Sequence, residues 1–411
     1  MSTFRAPKGT MDVLPPDSQR WRNAHRIFED LAEQFGYGLA LTPMFEDTEI
    51  FARGVGGDTE VVEKQMYTFT DKGGRSVTLR PEATASVVRA AIQAGGVQGR
   101  LKASYWGPMF RYERPQKGRY RQFYQGGIEY LGSDAPEADV EVIEFGYRYL
   151  ERMGVPSVEI RLGSIGDAGD RARHREEIRA YLLDRFEELS EDAQRRVDTN
   201  PMRVLDSKAD AAVVADAPKP GNFLGAEASE HFAAVRTGLE SLGLPYTIDD
   251  TLVRGLDYYN RTVWEYVPTT YDAAQSSVGG GGRYDGLFEV LGGKPTPAVG
   301  LAMGVDRILL ASTESGTGRA LDAFIVVADD ERRADARRLV SELRQRGLRI
   351  DMTDTRRSVK AQFKEADRRA AGNAIVVGDE WSDGLVSVKN LGTGDQTVIT
   401  VKEIDGWLRA L

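Results

Sequence analysis

The sequence predicts a mixed α/β body, interrupted by a helical insertion and followed by a compact α/β domain. Three observations carry this prediction. Short apolar runs of strand length alternate with helix-period segments as far as Leu162. Residues 168–225 are dense in Arg, Glu and Asp, with helical pattern and no clear strand. After a polar, glycine-bearing linker from Glu314 to Arg319, strand and helix alternate regularly.

Taken in order, residues 18–35 set Trp21, Ile27, Phe28, Leu31 and Phe35 on one helical side, and Gly36 and Gly38 end that helix. Leu39 to Pro43 reads as a short strand running into a proline. Met66 to Phe69 and Ser76 to Leu79 read as a hairpin around Asp71 to Gly74. A helix is expected from Ala83 to Gln93. Two strands around Tyr105–Phe110 and Ile128–Leu131 follow, joined by a basic loop. Asp139 to Met153 is helical and Ser157 to Leu162 is a strand. The insertion pattern ends near Pro218 to Gly221. Strand-like sequence returns at Leu252 to Tyr266, followed by Ser276 to Arg283, and Pro297 to Ala311 turns from strand to helix. In the last domain, strands 323–328 and 349–353 precede helices 332–346 and 359–371. Strands 374–378 and 385–389 and a short helix near Trp407 complete it. The expected boundaries are 1–167 and 226–317 for the two parts of the body, 168–225 for the insertion and 320–411 for the last domain.

The chain of 411 residues is too long for one ordinary core. Its 41% hydrophobic and 28% charged residues are a normal globular balance. No apolar run approaches the roughly 20 residues that span a membrane, and the N-terminal stretch lacks the apolar core of a signal peptide. Cysteine is absent, which excludes disulfides and makes a reducing cytoplasm the natural location. His25, His174 and His231 lie far apart without ligand spacing, so no protein-held metal is expected. A net charge of −9 argues against indiscriminate nucleic-acid binding. The cations are nevertheless concentrated. Arg111 to Arg121 holds five against one carboxylate, and Glu331 to Gly372 holds 13 Lys or Arg against 7 Asp or Glu. Two separated basic regions in an acidic chain suggest two contact points for one large anion.

Five segments carry chemistry. Glu82 and Thr84, at a strand-to-helix junction, read either as a helix cap or as the receiver of a substrate ammonium group. Around the basic loop, Arg111 and Glu113 share one face if the strand continues, as do Phe123, Gln125 and Glu129. A floor of such unlike polar groups is costly to bury without ligands. Arg111 suits a phosphate, Phe123 a stacked base, and Gln125 with Glu129 a cationic or imidazole group. Arg254 to Tyr259 places an Arg-Gly step before paired tyrosines, which read equally as strand packing or as a ligand wall. Gly279 to Gly282 is a run of four glycines, more often a loop, that lets a backbone approach a ligand. It lacks the lysine and spacing of a P-loop. Pro297 to Leu310 packs small residues before a helix carrying Arg307, either a surface ion pair or a ligand contact.

Together these segments resemble the class II aminoacyl-tRNA synthetases, and within them the histidyl-tRNA synthetase family, over nearly the whole chain. Gly36 to Gly57, with Pro43, looks like the class's dimer-interface motif 1, Arg111 to Glu129 like motif 2 and Pro297 to Leu310 like motif 3. The tighter, histidine-specific signatures are Arg254 to Tyr259 and Gly279 to Asp285. The resemblance implies an α+β catalytic domain on a mixed, mainly antiparallel sheet of seven-stranded type, with a helical insertion and a C-terminal α/β anticodon-binding domain. It implies activation of L-histidine by ATP with Mg2+, transfer to tRNA(His), and a homodimer through motif 1. By position, Glu82 and Thr84 would hold the histidine α-amino group. Gln125, Glu129, Tyr259 and Tyr284 would shape the imidazole pocket, with Tyr258 and Gly300 beside it. Arg111 and Arg254 would flank the α-phosphate as the catalytic pair and would also contact the histidine. Glu113 and Phe123 would hold adenine, and Arg121 and Arg307 the outer phosphates. Arg114, Gln116 and Lys117 would contact the acceptor end of tRNA. Ala83, Tyr112, Tyr124, Trp264 and Asp306 depart from residues frequent in the family, yet none removes an implied ligand. A non-catalytic synthetase-like regulatory subunit of ATP phosphoribosyltransferase is the alternative, and it would be expected to lose Arg254 and the last domain.

Overall fold

The computed structural model describes residues 4–56, 59, 61–207, 209–252, 256–269, 277–313 and 321–410. By internal contacts the chain divides into two units, Met1–Leu14 with Trp21–Glu314, and Pro15–Arg20 with Ser315–Leu411. The grouping of Pro15–Arg20 with the second unit has no counterpart in the sequence reading.

In the first unit the strands are β1 (Gly38–Leu39), β2 (Phe45–Asp47), β3 (Tyr67–Thr70), β4 (Ser76–Leu79), β5 (Leu101–Phe110), β6 (Gln122–Leu131), β7 (Val158–Ser164), β8 (Tyr246–Ile248), β9 (Asn260–Pro268), β10 (Gly279–Arg283) and β11 (Ala298–Gly304). Eight of them form one sheet in the order β1-β5-β6-β11-β10-β9-β7-β8. Only the outermost pairings, β1 with β5 and β7 with β8, are parallel; those between are antiparallel. Among the described residues the sheet is therefore mixed and mainly antiparallel, with eight strands rather than seven. β3, β4 and β2 make a separate small sheet that contains the expected hairpin.

The helices of this unit are α1 (Ser18–Gln34), α2 (Thr48–Gly54), α3 (Thr84–Gln93), α4 (Pro136–Arg152), α5 (Ala168–Leu183), α6 (Glu191–Arg196), α7 (Ala211–Val214), α8 (Ala226–Ser241), α9 (Leu287–Val290) and α10 (Val305–Ala311). α1 and α4 bury Phe28, Leu31, Phe145 and Tyr149 in one core with Trp264 and Tyr266 of β9. A second core joins Val87 and Val88 of α3 and Phe288 of α9 to Met109 and Val263. Each such side chain contributes about 1.5–3 kcal/mol by burial. Helices α5 to α7 carry the insertion, with a small core of its own around Ile178, Leu182, Val197 and Val204.

Four local expectations are corrected. The strand from Leu39 to Pro43 shrinks to Gly38–Leu39; Ala40 adds one bond to Ser104, and Pro43 has no amide to extend the ladder. β5 stops at Phe110, so Arg111 and Glu113 lie beyond the strand. β9 begins at Asn260, not Leu252, because the Asp257 amide bonds to Val55 and the chain kinks at Arg261, where φ is 50°. Tyr258 and Tyr259 therefore sit in the turn before the strand. Finally, the four glycines are a central strand, not a loop. A Cβ on Gly281 would come within 2.1 Å of the Gly300 carbonyl oxygen and one on Gly282 within 2.6 Å of the Tyr259 ring.

In the second unit, β12 (Leu321–Val327), α11 (Arg333–Gln345), β13 (Ile350–Met352), α12 (Val359–Arg368), β14 (Ala371–Val377), β15 (Leu385–Asn390), β16 (Gln396–Thr400) and α13 (Ile404–Arg409) follow in sequence. The sheet order is β13-β12-β14-β15-β16. β16 is an edge strand with mostly exposed residues, so it carries no apolar run that sequence reading could detect.

Candidate active site

A cavity of about 560 Å³ opens on the middle of the large sheet. Of the expected residues, Glu82, Thr84, Arg111, Glu113, Phe123, Gln125, Tyr258, Tyr259, Tyr284, Gly300 and Arg307 line it. Register explains the grouping. Phe123, Gln125 and Glu129 point to one face of β6, and β11 sets Gly300 opposite Glu129 and Gly304 opposite Gln125.

One end of the cavity is acidic and phenolic. Glu82 precedes α3, and its carboxylate accepts the amides of Thr84 at 2.7 Å and Ala85 at 3.1 Å. It caps the start of the helix and also lines the cavity. The Thr84 hydroxyl donates to Oε1 of Glu129 at 2.7 Å, and the Tyr284 hydroxyl bonds to Oε2. Glu129 is fully buried behind these partners, and burial lifts its carboxyl pKa to about 8. Burial also raises Glu82, against the opposing pull of the amides. A Cβ on Gly300 would lie 1.8 Å from Oε2 of Glu129, so this position has room only for glycine. Tyr258 packs edge-on against Tyr259 and Tyr284, with centroids 4.6 and 5.6 Å apart. Oε1 of Gln125 is buried without a hydrogen-bond partner. Such an orphan acceptor on a cavity wall calls for a ligand donor.

The other end is basic. Arg111 donates from Nε to the Pro81 carbonyl at 2.9 Å and lies 5.3 Å from the Phe123 ring centre. Arg307 donates to the carbonyls of Gly118 at 3.2 Å and Ser277 at 2.9 Å, so it is not a surface ion pair. Burial lowers the pKa of both guanidinium groups from the usual arginine value. Glu113 pairs with Arg119, which also lines the cavity.

Arg119 is a residue that sequence reasoning missed. Arg121 was expected inside, but its guanidinium lies 3.8 Å over the Tyr112 ring and its Nε bonds to the Glu113 carbonyl at 3.2 Å. The loop closes by mutual backbone bonds between Gln116 and Arg119, with Gly118 at φ 75°, and this turn sends Arg119 back toward the cavity. The glycine two residues after Gln116 was the available signal. Arg114, Gln116 and Lys117 remain exposed on that loop. Arg161 and Glu265, opposite one another on β7 and β9, also line the cavity and gave no sequence signal. Arg254 lies outside the described residues, as does the linker from Glu314 to Arg319.

The other signature residues are structural. Arg283 is fully buried against Asp139 and donates to the carbonyls of Ser133 at 2.8 Å and Ala135 at 3.2 Å. Asp285 ties Arg283, Asn260 and the Ala298 amide together. Among the residues that depart from the resemblance, Ala83 and Trp264 are buried and Tyr112 is exposed. Asp306 accepts the Tyr124 amide at 2.9 Å, and burial raises its carboxyl pKa to about 6.

A mainly antiparallel sheet whose inner strands floor a cavity with an acidic end and an arginine end is the arrangement of a class II aminoacyl-tRNA synthetase. A family model described as histidyl-tRNA synthetase matches residues 9–308, and one described as an anticodon binding domain matches residues 322–411. The chain belongs to the histidyl-tRNA synthetase family. It is 44% identical over 420 residues to a histidine–tRNA ligase of Corynebacterium kroppenstedtii, covering 99% of this chain and 98% of that one. It is 42% identical over 416 residues to a histidine–tRNA ligase of Geobacillus kaustophilus, covering 98% of each. The crystal structure of apo histidyl-tRNA synthetase from S. aureus superposes with a TM-score of 0.80 at 35% identity, covering 99% of this chain and 100% of that one.

Proposed function

We propose that the cavity activates L-histidine with ATP, releasing pyrophosphate, and then transfers histidine to the 3′ end of tRNA(His), releasing AMP. The observation that carries this reading is the division of one cavity into a buried carboxylate–phenol end and an arginine end. In it, Glu82 and Thr84 receive the α-amino group, while Gln125, Glu129, Tyr258, Tyr259, Tyr284 and Gly300 enclose the imidazole. The orphan Oε1 of Gln125 supports an N–H donor there. Arg111 binds the α-phosphate, with Arg254 as its partner. Glu113 and Phe123 hold adenine. Arg307 meets the outer phosphates together with Arg119, which takes the place expected for Arg121 because it lines the cavity.

The histidine carboxylate attacks the α-phosphorus in line, with no protein nucleophile. The chain supplies position and charge, both strengthened where water is excluded. In this reading Mg2+ enters on the phosphates of ATP. Arg114, Gln116 and Lys117 contact the acceptor end, and the second unit binds the anticodon, where unstacked bases can be read.

A homodimer through the segment from Gly36 to Gly57 is part of the same reading. Leu39, Leu41, Met44 and Phe45 are 59%, 82%, 52% and 56% exposed there, an apolar run that a second copy would cover. A cytoplasmic location fits the absence of cysteine; no helix among the described residues is long and apolar enough to cross a membrane.

The test is ATP–pyrophosphate exchange with a panel of all amino acids. Exchange that depends on histidine and magnesium is expected. A folded sample inert with histidine would overturn the reading.

A further inference from the structure

The first helix of the insertion is fastened to the turn that carries the tyrosine pair. Arg171, in the first turn of α5, donates from Nη1 to the Tyr259 carbonyl at 2.8 Å and to the Asp257 carbonyl at 3.4 Å. The carboxylates that face its guanidinium are those of Asp257 and Asp167. α5 is itself fixed where it leaves the body. The Asp167 amide donates to Asp170 at 3.0 Å, and the Asp167 carboxylate takes a two-pronged contact from Arg261 at 2.7 and 3.2 Å. The backbone of Arg261 bonds to both Gly166 and Ile165. Its φ of 50° is a left-handed conformation that a side-chain-bearing residue seldom adopts. The entry to β9 is therefore held by surrounding contacts rather than by local preference. Tyr258 and Tyr259 line the cavity between these two clamps.

We infer that Arg171 is a positioning residue for the histidine end of the cavity, and that through it the insertion governs that end alone. The inference rests on the proposed histidine site. The turn holding the tyrosines lies outside the strand ladder, so its carbonyls depend on other donors. A planar guanidinium is pre-set to serve two of them at once. Removing it takes one donor from each of these two carbonyls and lets the turn relax. Two arginines of the other end are anchored on other elements, Arg111 to Pro81 and Arg307 to Gly118 and Ser277. The anchoring of these two does not pass through Arg171.

The experiment is steady-state exchange kinetics on the full chain, with thermal unfolding of each variant. Arg171→Met should raise the KM for histidine by about tenfold, the size expected for a lost hydrogen bond at a partly buried turn, and leave the KM for ATP unchanged. Arg171→Lys, which keeps a donor, should show a smaller rise, again confined to histidine. Arg175→Met is the control. Its guanidinium bonds to Thr199 within the insertion at 2.8 Å, and both KM values should stay as in the unaltered chain. An Arg171→Met chain that folds with an unchanged histidine KM, or with both KM values raised alike, overturns the inference. If that variant does not fold, an Arg171→Lys chain indistinguishable from the unaltered one does the same. Histidine-dependent exchange by the unaltered chain keeps either failure distinct from failure of the proposed function.

Discussion

The two ends of the cavity are built on opposite plans. At the acid end the chain satisfies its own carboxylates: Glu82 is capped by two amides of α3, and Glu129 is held by the hydroxyls of Thr84 and Tyr284. At the arginine end, Arg111 and Arg307 commit a few of their donors to backbone carbonyls. A guanidinium has five N–H groups, so most remain for an anion. The acid end is a closed, pre-formed mould. The arginine end is an anchored but unsaturated charge field. A small ligand of fixed shape suits the first, and a polyphosphate suits the second.

The largest separation of the two ends should come from Arg111→Gln. In the proposed reading this guanidinium meets charge that grows in the transition state, and loss of one such donor costs about a hundred- to a thousandfold in rate. Exchange should fall by about that factor, while histidine binding in the absence of ATP, followed by calorimetry, stays within a few fold. A variant that loses histidine binding and rate together would show that the ends are not independent.

Gly300→Ala should act on the opposite end. The new methyl would overlap Glu129 at 1.8 Å and the Ile128 carbonyl at 2.8 Å. Either the carboxylate or β11 must shift, at a cost of about 1–3 kcal/mol in stability. The KM for histidine should rise by about tenfold or more and that for ATP should not. An unchanged histidine KM with a lowered melting temperature would make Gly300 a packing residue only.

These contrasts also explain what the sequence revealed. The basic loop was legible because Arg114, Lys117 and their neighbours stand out against an acidic chain. β5 and β6 were legible because their apolar runs flank it. Ser276 to Arg283 followed on strand-like sequence, but the four glycines by themselves read as a loop, since what makes them a strand is the space taken by Tyr259, Trp264 and the backbone of β11. Arg119 and Arg121 could not be told apart by alternation once the loop closed through a turn at Gly118. Arg171 offered no signal, because its target is a pair of carbonyls distant in sequence. The cap formed by Glu82 and the pocket wall it provides are one feature, and local sequence separates them only by assumption.

The smallest effect, and the sharpest test of the mould, is the protonation of Glu129. Burial raises its pKa to about 8, so near neutral pH the free carboxyl holds its proton. No cation pairs with it among the described residues, and the nearby Glu82 carboxylate disfavours its charge further. In the proposed reading Glu129 must be ionised to accept an imidazole N–H. Histidine binding then releases a proton below about pH 8, and apparent affinity rises as pH rises toward that value and levels off above it. The free imidazole titrates near pH 6.5, so from about pH 7 to 8.5 it is mostly neutral. Over that range the KM for histidine should fall several-fold. Glu129→Gln, a permanent analogue of the protonated form, should bind histidine more weakly and show a flat profile. Titration of the substrate's own groups acts equally on both proteins, so only the difference between the two curves counts. Parallel curves would remove Glu129 from the histidine site and leave it a buried strut between Thr84 and Tyr284.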